Sequence, residues 1–315
     1  TTLGGRFELT EFLAQGGMGS VYKAIQKPLG REVAVKILHP YRGSAEEFRE
    51  QFFLEACHCA RLTHPNIVCV YDYGIHADEV YFIAMEYLRG ETLQALSKRV
   101  GPLPTQHIIE ILKQICFALI EAHDAGLVHR DLKLSNIFLS EVGTHTQVVK
   151  VLDFGLVKEI GVDTILTGSG VTMGSPMFMS PEQINQEPID ARTDIYAVGI
   201  IAVILLTGKT PFPATTGLSI MMSQIRKKIP LVSELNPNVH ISPQLQSIVS
   251  RALQKAPENR FENARSLLDA LIDCEAECRS MAPNRSLLPR VYSNLISSQD
   301  FDEITETSNV SAVNC

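Results

Sequence analysis

The chain has 315 residues, of which 45% are hydrophobic and 20% charged, and its formal net charge at pH 7 is −7. This composition excludes a wholly disordered chain, and no lysine or arginine stripe is present to neutralise a phosphate backbone, so we expect no nucleic-acid partner. The length is sufficient for two lobes that each bury a core.

The seven cysteines are an odd number and lack the paired spacing of a zinc site. They predict buried thiols in a reducing, cytoplasmic compartment rather than a disulfide framework. The longest apolar run, 195–207, is shorter than the ~20 residues that cross a bilayer, and it predicts a helix buried on all sides. No signal peptide is visible, and membrane anchoring by segments outside this sequence stays open.

The first part of the chain, residues 1–88, is predicted to form a small β-rich lobe. Alternating patterns between turn residues predict strands at 7–13, 21–25, 32–38, 67–73 and 80–86. One helix is predicted to interrupt these strands. Ser44 and Glu47 have the spacing of a capping box, which indicates where this helix begins. The apolar residues that follow at helical spacing are Phe48, Phe52, Cys59 and Leu62.

Glu55 falls on the apolar stripe of this predicted helix. A carboxylate on a buried face is costly unless a cation pairs with it. Alternation in the strand at 32–38 places Lys36 and Ala34 on one face, opposite the valines and the isoleucine of that strand, so Lys36 is the candidate partner. The alternative is a rotated helix that leaves Glu55 in solvent.

The second part of the chain, residues 89–282, is predicted to be mainly helical. Apolar stripes predict helices at 104–126, 194–206, 218–227, 243–254 and 263–278. A short β pair is predicted at 137–139 and 148–152, and the segment 156–180 has no periodicity. Residues 283–315 are rich in serine, asparagine, threonine and acidic residues, and we expect a polar tail or linker that is partly disordered.

A glycine-rich turn lies between the first two predicted strands. Its residues are Ala14, Gln15, Gly16, Gly17, Met18 and Gly19, followed by Ser20 and Val21. Glycines let backbone N–H groups approach phosphate oxygens without interference from a Cβ atom. Taken alone the signal is weak, because a glycine-rich turn between strands is more often a plain hairpin, and a dinucleotide-binding fingerprint would continue into a helix.

Two short motifs carry the chemistry. Residues 129–136 read His-Arg-Asp-Leu-Lys-Leu-Ser-Asn, and Asp153 follows Asn136 by 17 residues and begins the run Asp-Phe-Gly. The oxygens of Asn136 and Asp153 suit Mg²⁺, while Asp131 remains to orient an attacking hydroxyl. This pattern indicates metal-assisted phosphoryl transfer.

In chain order, the glycine loop, the Lys36 strand, Glu55 and the two motifs follow the signature set of protein kinases. The chain therefore resembles a eukaryotic-like (Hanks-type) serine/threonine protein kinase domain over roughly residues 5–278. The run Met-Ser-Pro-Glu-Gln at 179–183 is most similar to the bacterial branch. The resemblance implies an α+β, bilobal kinase fold with a small antiparallel β lobe at 1–88 and a larger, mainly helical lobe at 89–282.

The resemblance also implies the roles of the site residues. Asp131 would orient the substrate hydroxyl, Lys133 would contact the γ-phosphate and Lys36, fixed by Glu55, would hold the α- and β-phosphates. Mg²⁺, or Mn²⁺ as an alternative ion, would be bound by Asn136 and Asp153. ATP would lie under the glycine loop, in an adenine pocket formed by Val21, Ala34, Met85, Glu86, Leu88 and Phe138.

Further positions are implied to regulate or support the site. Arg130 beside Asp131 would meet a phosphate on the segment 156–180, where Thr167 and Thr172 are the candidates with Ser169 behind them; the alternative is that these are plain loop hydroxyls. Ser175 would bridge Asp131 and Lys133. Glu182 would pair with Arg260, and Asp194 would brace the catalytic loop. Ala14 departs from the usual first glycine of the loop.

The function expected from this resemblance is ATP-dependent phosphorylation of serine and threonine in proteins, controlled by autophosphorylation of the activation loop, in bacterial signal transduction. A homodimer would serve trans-autophosphorylation. One alternative is a pseudokinase or nucleotide-binding scaffold. The other is a small-molecule kinase, which the long segment from Asp153 to Glu182 disfavours because protein kinases use that segment to dock peptides.

Overall fold

The computed structural model describes residues 1–16, 19–38, 45–77, 80–142, 146–154, 176–213 and 216–280; within these ranges, the side chains of 45–48, 51, 55, 142, 146 and 278–280 are not described. The predicted tail at 283–315 therefore lies outside the described residues. The fold is the predicted α+β arrangement, with an antiparallel sheet in the first part of the chain and helices in the second. The lobe boundaries given above remain predictions.

A six-stranded antiparallel sheet forms the small lobe, in the order β1-β2-β3-β4-β6-β5. The chain enters a helix, α1 (Ala45–Arg61), between the fourth and fifth strands. The strands are β1 (Thr2–Leu3), β2 (Phe7–Gly16), β3 (Gly19–Gln26), β4 (Arg31–Leu38), β5 (Val70–His76) and β6 (Val80–Glu86).

Strand β4 lies between two apolar clusters, which explains its nearly continuous hydrophobic run. Val33 and Val35 pack into a small cluster with Phe7 and Phe82. Ala34 and the buried stripe of α1 pack into the main core, which includes Phe52 and Cys59 of α1 and Leu62 just beyond its end. The predicted alternation of β4 and the predicted helical stripe are both confirmed for the side chains that the structure describes.

The strand predicted at 67–73 is displaced to Val70–His76. Ile67 and Val68 are buried, as their apolar character suggested, but they belong to another pairing. Ile67 forms a parallel bridge with Val151, and the Val68 N–H donates to the Val151 carbonyl at 3.0 Å. The segment 66–68 thus connects the small lobe to the strand that precedes Asp153.

The large lobe begins with a three-stranded sheet in the order β7-β8-β9 and continues into helices. The sheet strands are β7 (Gly90–Thr92), β8 (Ile137–Val142) and β9 (Thr146–Val151). Among the described residues, 3₁₀ turns lie at Leu134–Asn136 and Pro257–Asn259. The helices are α2 (Leu93–Val100), α3 (Thr105–Asp124), α4 (Pro181–Asn185), α5 (Arg192–Thr207), α6 (Gly217–Arg226), α7 (Val232–Leu235), α8 (Pro243–Ala252) and α9 (Ala264–Ser280).

Helix α5 is the centre of the large lobe. Every residue from Thr193 to Thr207 is buried, which confirms the prediction of a helix enclosed on all sides. A Cβ atom at Gly199 would lie 2.7 Å from the side chain of Leu253, so the glycine is required for close packing. None of the helices within the described part of the chain combines the length and apolar character needed to cross a membrane.

Candidate active site

The loop that carries Asp131 is held in place by Asp194, in the first turn of α5. The Asp194 carboxylate is fully buried and accepts three hydrogen bonds. The backbone N–H groups of His129 and Arg130 donate to its two oxygens at 2.8 and 2.9 Å, and His123 Nε2 lies 2.8 Å from Oδ2. This geometry allows Asp194 to brace the loop, and the bracing role stays a prediction.

The electrostatics of Asp194 agree with this geometry. Burial acts to raise the pKa of this carboxyl, but the hydrogen bond from His123 and the interactions with His129 outweigh it, and the pKa lies below the ordinary value of 3.8. The carboxylate is therefore ionised at neutral pH. An ionised acceptor makes its hydrogen bonds to the loop charge-assisted and strong.

His129 joins this loop to the segment that carries Asp153. Its Nε2 atom lies 2.9 Å from the carbonyl oxygen of Leu152, and its ring lies 4.7 Å from the ring of Phe154. The Leu152 N–H donates in turn to the carbonyl of Asn136 at 2.8 Å. The two predicted motifs, which are 17 residues apart in the sequence, are therefore neighbours in space.

The acidic and basic groups of the first motif converge on the Asp131 carboxylate. Lys133 Nζ lies 2.8 Å from Asp131 Oδ2. Asn136 Nδ2 donates to the Asp131 carbonyl at 2.9 Å and lies 3.4 Å from Oδ2. These contacts fix the direction of the carboxylate, which is the requirement for a group that orients a hydroxyl.

Asn136 presents the oxygen that a hard cation needs. Because its Nδ2 atom is committed to Asp131, its Oδ1 atom is left on the other side of the amide, and no hydrogen bond between described residues uses it. Asp153 supplies a carboxylate nearby, in the Asp-Phe-Gly run. An amide oxygen and a carboxylate with room for water suit Mg²⁺, which keeps several waters of its own. No group of three or more acidic, histidine or cysteine side chains in the described part of the chain forms an all-protein metal site.

Lys36 contacts Asp153 directly. Its Nζ atom lies 2.8 Å from Asp153 Oδ2, and its side chain is 8% exposed. Asp153 has a positive φ of 58°, a strained conformation for a non-glycine residue. The side chain of Glu55 lies outside the described residues, so the Lys36–Glu55 pair stays a prediction, and the contact that the structure gives Lys36 is with Asp153.

Several residues of the predicted adenine pocket lie on neighbouring strands of the small-lobe sheet, and Phe138 lies on β8. Val21 pairs with Lys36 across β3 and β4, and Ala34 pairs with Met85 across β4 and β6. Phe138 on β8 lies opposite Thr92 and is partly buried. Backbone N–H and C=O groups of Leu88 form no hydrogen bond with another described residue, so both are available to an adenine edge.

Glu86, which stays a predicted member of the adenine pocket, has three hydrogen-bonding contacts within the protein. Its backbone N–H already donates to the Cys69 carbonyl at 2.9 Å. Its side chain accepts from the Cys69 N–H at 2.8 Å and pairs with Lys150 at 2.6 Å. Glu86 therefore links the connection between the lobes to β9 through Lys150. Its backbone N–H is not available to adenine.

The glycine loop is a hairpin between β2 and β3. Ala14 pairs with Val21, Gln15 with Ser20 and Gly16 with Gly19. Gly17 and Met18 lie outside the described residues. A Cβ atom at Gly19 would lie 2.1 Å from the Ile37 carbonyl oxygen, so this glycine is required for close approach to β4. A Cβ atom at Gly16 would lie 3.9 Å from the Gly19 carbonyl oxygen, which is an ordinary contact.

Glu182 and Arg260 form the predicted pair. Arg260 Nη1 and Nη2 lie 2.6 and 2.7 Å from the two carboxylate oxygens. The remaining N–H groups of Arg260 donate to the carbonyls of Arg192, Gln254 and Lys255. Burial acts to raise the pKa of Glu182, but the Arg260 hydrogen bond and charge outweigh it and the pKa is lowered.

Sequence reasoning missed several residues that support the site. Gln183 Nε2 donates to the Arg130 carbonyl at 2.8 Å and so ties α4 to the catalytic loop. Ser180 and Gln183 have capping-box spacing, a signal that could have located α4. His123 and Lys150 had no such signal. The predicted regulatory residues Thr167, Thr172 and Ser175, with Ser169 and Gly155, lie outside the described residues.

Known proteins resemble this chain along most of its length. The family model described as "Protein kinase domain" matches residues 7–270. The serine/threonine-protein kinase pkn3 of Myxococcus xanthus is 36% identical over 290 residues, covering 90% of this chain and 53% of that protein. The serine/threonine-protein kinase PknB of Mycobacterium leprae is 37% identical over 273 residues, covering 86% of this chain and 43% of that protein.

A solved structure shows the same similarity in three dimensions. The crystal structure of the Mycobacterium tuberculosis PknI kinase domain superposes with a TM-score of 0.68 at 28% identity, covering 88% of this chain and 98% of that one. This chain spans about half of the length of the curated relatives it matches, or less.

Proposed function

The chain belongs to the protein kinase family, and we propose that it transfers the γ-phosphoryl group of ATP to serine and threonine hydroxyls of proteins. One observation carries the proposal. Two charge contacts of 2.8 Å, Lys36–Asp153 and Lys133–Asp131, stand on segments joined by the hydrogen bond from Leu152 to Asn136. This arrangement supports a single site in which Lys36 binds phosphate, Asn136 and Asp153 bind the metal ion, and Asp131 receives the acceptor hydroxyl.

The residues divide the work of the reaction between them. Asp131 accepts the hydrogen bond of the acceptor hydroxyl and directs its oxygen to the γ-phosphorus, and Lys133 neutralises charge on the γ-phosphate. Lys36 holds the α- and β-phosphates. Asn136 and Asp153 would hold a divalent cation, for which we favour Mg²⁺ over Mn²⁺, and the ion would supply charge neutralisation on the phosphates. The adenine edge meets Leu88.

Most of the rate enhancement in this scheme comes from positioning and charge complementarity, because phosphoryl transfer asks for little covalent chemistry from the protein. The buried carboxylate of Asp194 therefore matters to catalysis although it touches no reactant. The lysine at 133 favours serine and threonine over tyrosine as acceptors, following the family pattern.

Regulation by the segment 156–180 is part of the proposal. Arg130 stands beside Asp131 with a positive φ of 63° and would pair with a phosphate on Thr167 or Thr172. Autophosphorylation in a transient homodimer would supply that phosphate. Site mapping by mass spectrometry of active protein checks this: active protein with an unmodified segment would contradict it.

The function is tested with labelled ATP and Mg²⁺ on the wild type and Asp131→Asn. We expect label on the chain itself and on dephosphorylated casein, and a loss of at least about 100-fold in rate in the variant, the scale of lost acid–base assistance. Asp269→Asn, an exposed position on α9, is the matched control and should keep the wild-type rate. Repeating the assay with Mn²⁺ identifies the preferred ion.

Other outcomes separate the alternatives. ATP binding without transfer to any acceptor would indicate a nucleotide-binding scaffold. Label that accumulates only on a small metabolite would indicate a small-molecule kinase. Either result would overturn the proposed function.

A further inference from the structure

The segment 176–180 leads directly into α4 and lies beside the catalytic loop. Phe178 and Met179 line one small cavity together with Arg130 and Asp131. A protein chain that presents a hydroxyl to Asp131 must therefore run along this segment. The position of the segment decides how such an acceptor docks, whereas the proposed nucleotide-binding residues Lys36 and Asp153 do not line this cavity.

A buried glutamine on α6 holds this segment. Gln224 is fully buried, and its Nε2 atom donates to the Met177 carbonyl. Its Oε1 atom accepts from the Tyr196 hydroxyl at 2.5 Å. The two contacts together fix the orientation of the amide, because only one orientation places its donor toward a carbonyl and its acceptor toward a phenol.

The hydrogen-bonded chain continues to a lysine. Lys255 Nζ donates to the Tyr196 hydroxyl at 3.2 Å. The order of donors is therefore Lys255 to Tyr196 to Gln224 to Met177, and each group donates to the next without conflict. Hydrogen bonds that run in one direction polarise one another, so such a chain is stiffer than its separate bonds.

The start of this chain is immobile. Tyr196 lies on the buried helix α5, and the Arg260 guanidinium stacks 4.9 Å from the centre of its ring. Lys255 Nζ lies 5.3 Å from the ring of Phe212, and its backbone carbonyl accepts from Arg260 at 2.9 Å. No acidic side chain of the described residues lies within ion-pair distance of Lys255. The Lys255 ammonium is thus oriented by the neighbouring aromatic rings and by the Tyr196 hydroxyl, to which it donates the first hydrogen bond of the series.

We propose that Gln224 is a positioning residue for the protein acceptor: through the Met177 carbonyl it fixes the docking segment 176–180, and Tyr196 and Lys255 keep its amide in the required orientation. The inference rests on the proposed protein-kinase function and adds the means by which the acceptor surface is held. Gln224 touches neither ATP nor the reacting atoms.

The decisive variant is Gln224→Glu. A carboxylate retains the acceptor for Tyr196 but cannot donate to Met177, and it leaves two oxygens facing each other. We expect the KM for the protein acceptor to rise about tenfold, the scale of one lost hydrogen bond with a buried acceptor left unsatisfied, while the KM for ATP changes less than about twofold. The acceptor is the full chain carrying Asp131→Asn, with dephosphorylated casein as a second acceptor.

Gln246→Glu is the matched control. Gln246 also bridges two elements of the large lobe, accepting from the Val232 N–H at 3.0 Å and donating to Ser250 Oγ at 3.0 Å, but it is remote from Asp131 in its contacts. A purely structural role for both glutamines predicts a loss of unfolding free energy in both variants and no change in acceptor KM for either. The proposal predicts the acceptor KM change for Gln224→Glu alone.

A second variant keeps the test decisive if Gln224→Glu does not fold. Tyr196→Phe removes the hydroxyl that orients the amide but retains the ring, and it should raise the acceptor KM by a smaller factor in the same direction. Unchanged acceptor KM in a folded variant at either position would overturn the inference. Failure of the wild type to phosphorylate either acceptor would instead overturn the proposed function.

Discussion

Asp194→Asn is the substitution that most directly tests how the catalytic loop is held. The carboxylate accepts from the His129 N–H and His123 on Oδ2 and from the Arg130 N–H on Oδ1. An amide has a single acceptor oxygen. If its nitrogen takes the Oδ1 position, the Arg130 N–H loses its acceptor; if it takes the Oδ2 position, the His129 N–H and His123 lose theirs.

The smaller of these losses sets the minimum cost. One charge-assisted hydrogen bond contributes about 1.5–3 kcal/mol, and a buried donor left without an acceptor costs a further ~1–3 kcal/mol. The remaining bonds also lose their charged acceptor. Partial relaxation of the loop recovers some of this, and we expect a loss of about 3–5 kcal/mol in unfolding free energy.

Urea denaturation of the wild type, Asp194→Asn and the exposed control Asp269→Asn measures this loss. The control should stay within about 0.5 kcal/mol of the wild type. Because the folded-state pKa of Asp194 is lowered, its contribution is present above the ordinary value of 3.8 and is lost as the pH falls through the folded-state pKa. The difference between wild type and variant should therefore persist from neutral pH to about pH 5 and shrink only in acid.

The turnover rate should fall together with stability, because the same bonds orient the backbone of the residues that precede Asp131. A variant that lies within about 1 kcal/mol of the wild type and keeps its kcat would refute the reasoning. It would show that the contact of His129 with Leu152, at 2.9 Å, is sufficient to hold the loop.

Two further predictions concern the large lobe. Arg260→Lys should cost about 3–5 kcal/mol in urea denaturation, because an ammonium cannot reproduce the two-pronged contact with Glu182 or the five occupied N–H groups; the exposed Arg265→Lys is its control, and equal stabilities of the two variants would contradict this. Burial and the charge of Arg260 lower the pKa of Lys255 to about 8 against an ordinary 10.5, with Tyr196 as the other titratable group facing it. Between pH 8 and 10.5 the unfolded chain binds more protons at Lys255 than the folded chain does. The stability of the wild type should therefore rise relative to that of Lys255→Met as the pH increases over this range. Parallel pH curves would show that Lys255 is not desolvated.

Periodicity located the elements whose burial is one-sided or complete. The alternation of β4, the stripe of α3 and the apolar run of α5 each determined an element to within a few residues. The strand predicted at 67–73 was displaced because Ile67 and Val68 are apolar for another reason, their pairing with Val151. Short elements such as β7, α2 and α4 have too few turns or alternations to produce a readable period.

The candidate site divides in the same way. The motifs predicted Lys36, Asp131, Asn136 and Asp153 because phosphoryl transfer requires those residue types in that order and spacing, and their roles stay predictions. The supporting contacts were not readable, since Gln183 and Gln224 donate to backbone carbonyls 53 and 47 residues away, and any residue type can offer a carbonyl. A glutamine in a helix has many partners of this kind, and only the fold selects one.

Strand β9 is the element that makes the two halves of the site a single unit. One of its edges pairs with β8, and the other receives the Val68 N–H and donates to the Asn66 carbonyl at 3.0 and 2.8 Å. Asn66 Nδ2 adds a bond to the Val149 carbonyl at 2.8 Å, and Lys150 reaches Glu86 at the connection between the lobes. Asp153 lies two residues beyond Val151, the last residue of β9.

The position of Asp153 is therefore determined by the small lobe, by the interlobe connection and by the catalytic loop together. Cys59 on α1 extends this coupling, because its thiol donates to the Phe154 carbonyl at 2.9 Å. A shift of α1 or of the segment 66–68 must move the Asp153 carboxylate relative to Asn136. Since misplacement by about 1 Å can cost about 100-fold in rate, contacts far from the proposed phosphate-binding residues can change the proposed activity without altering those residues.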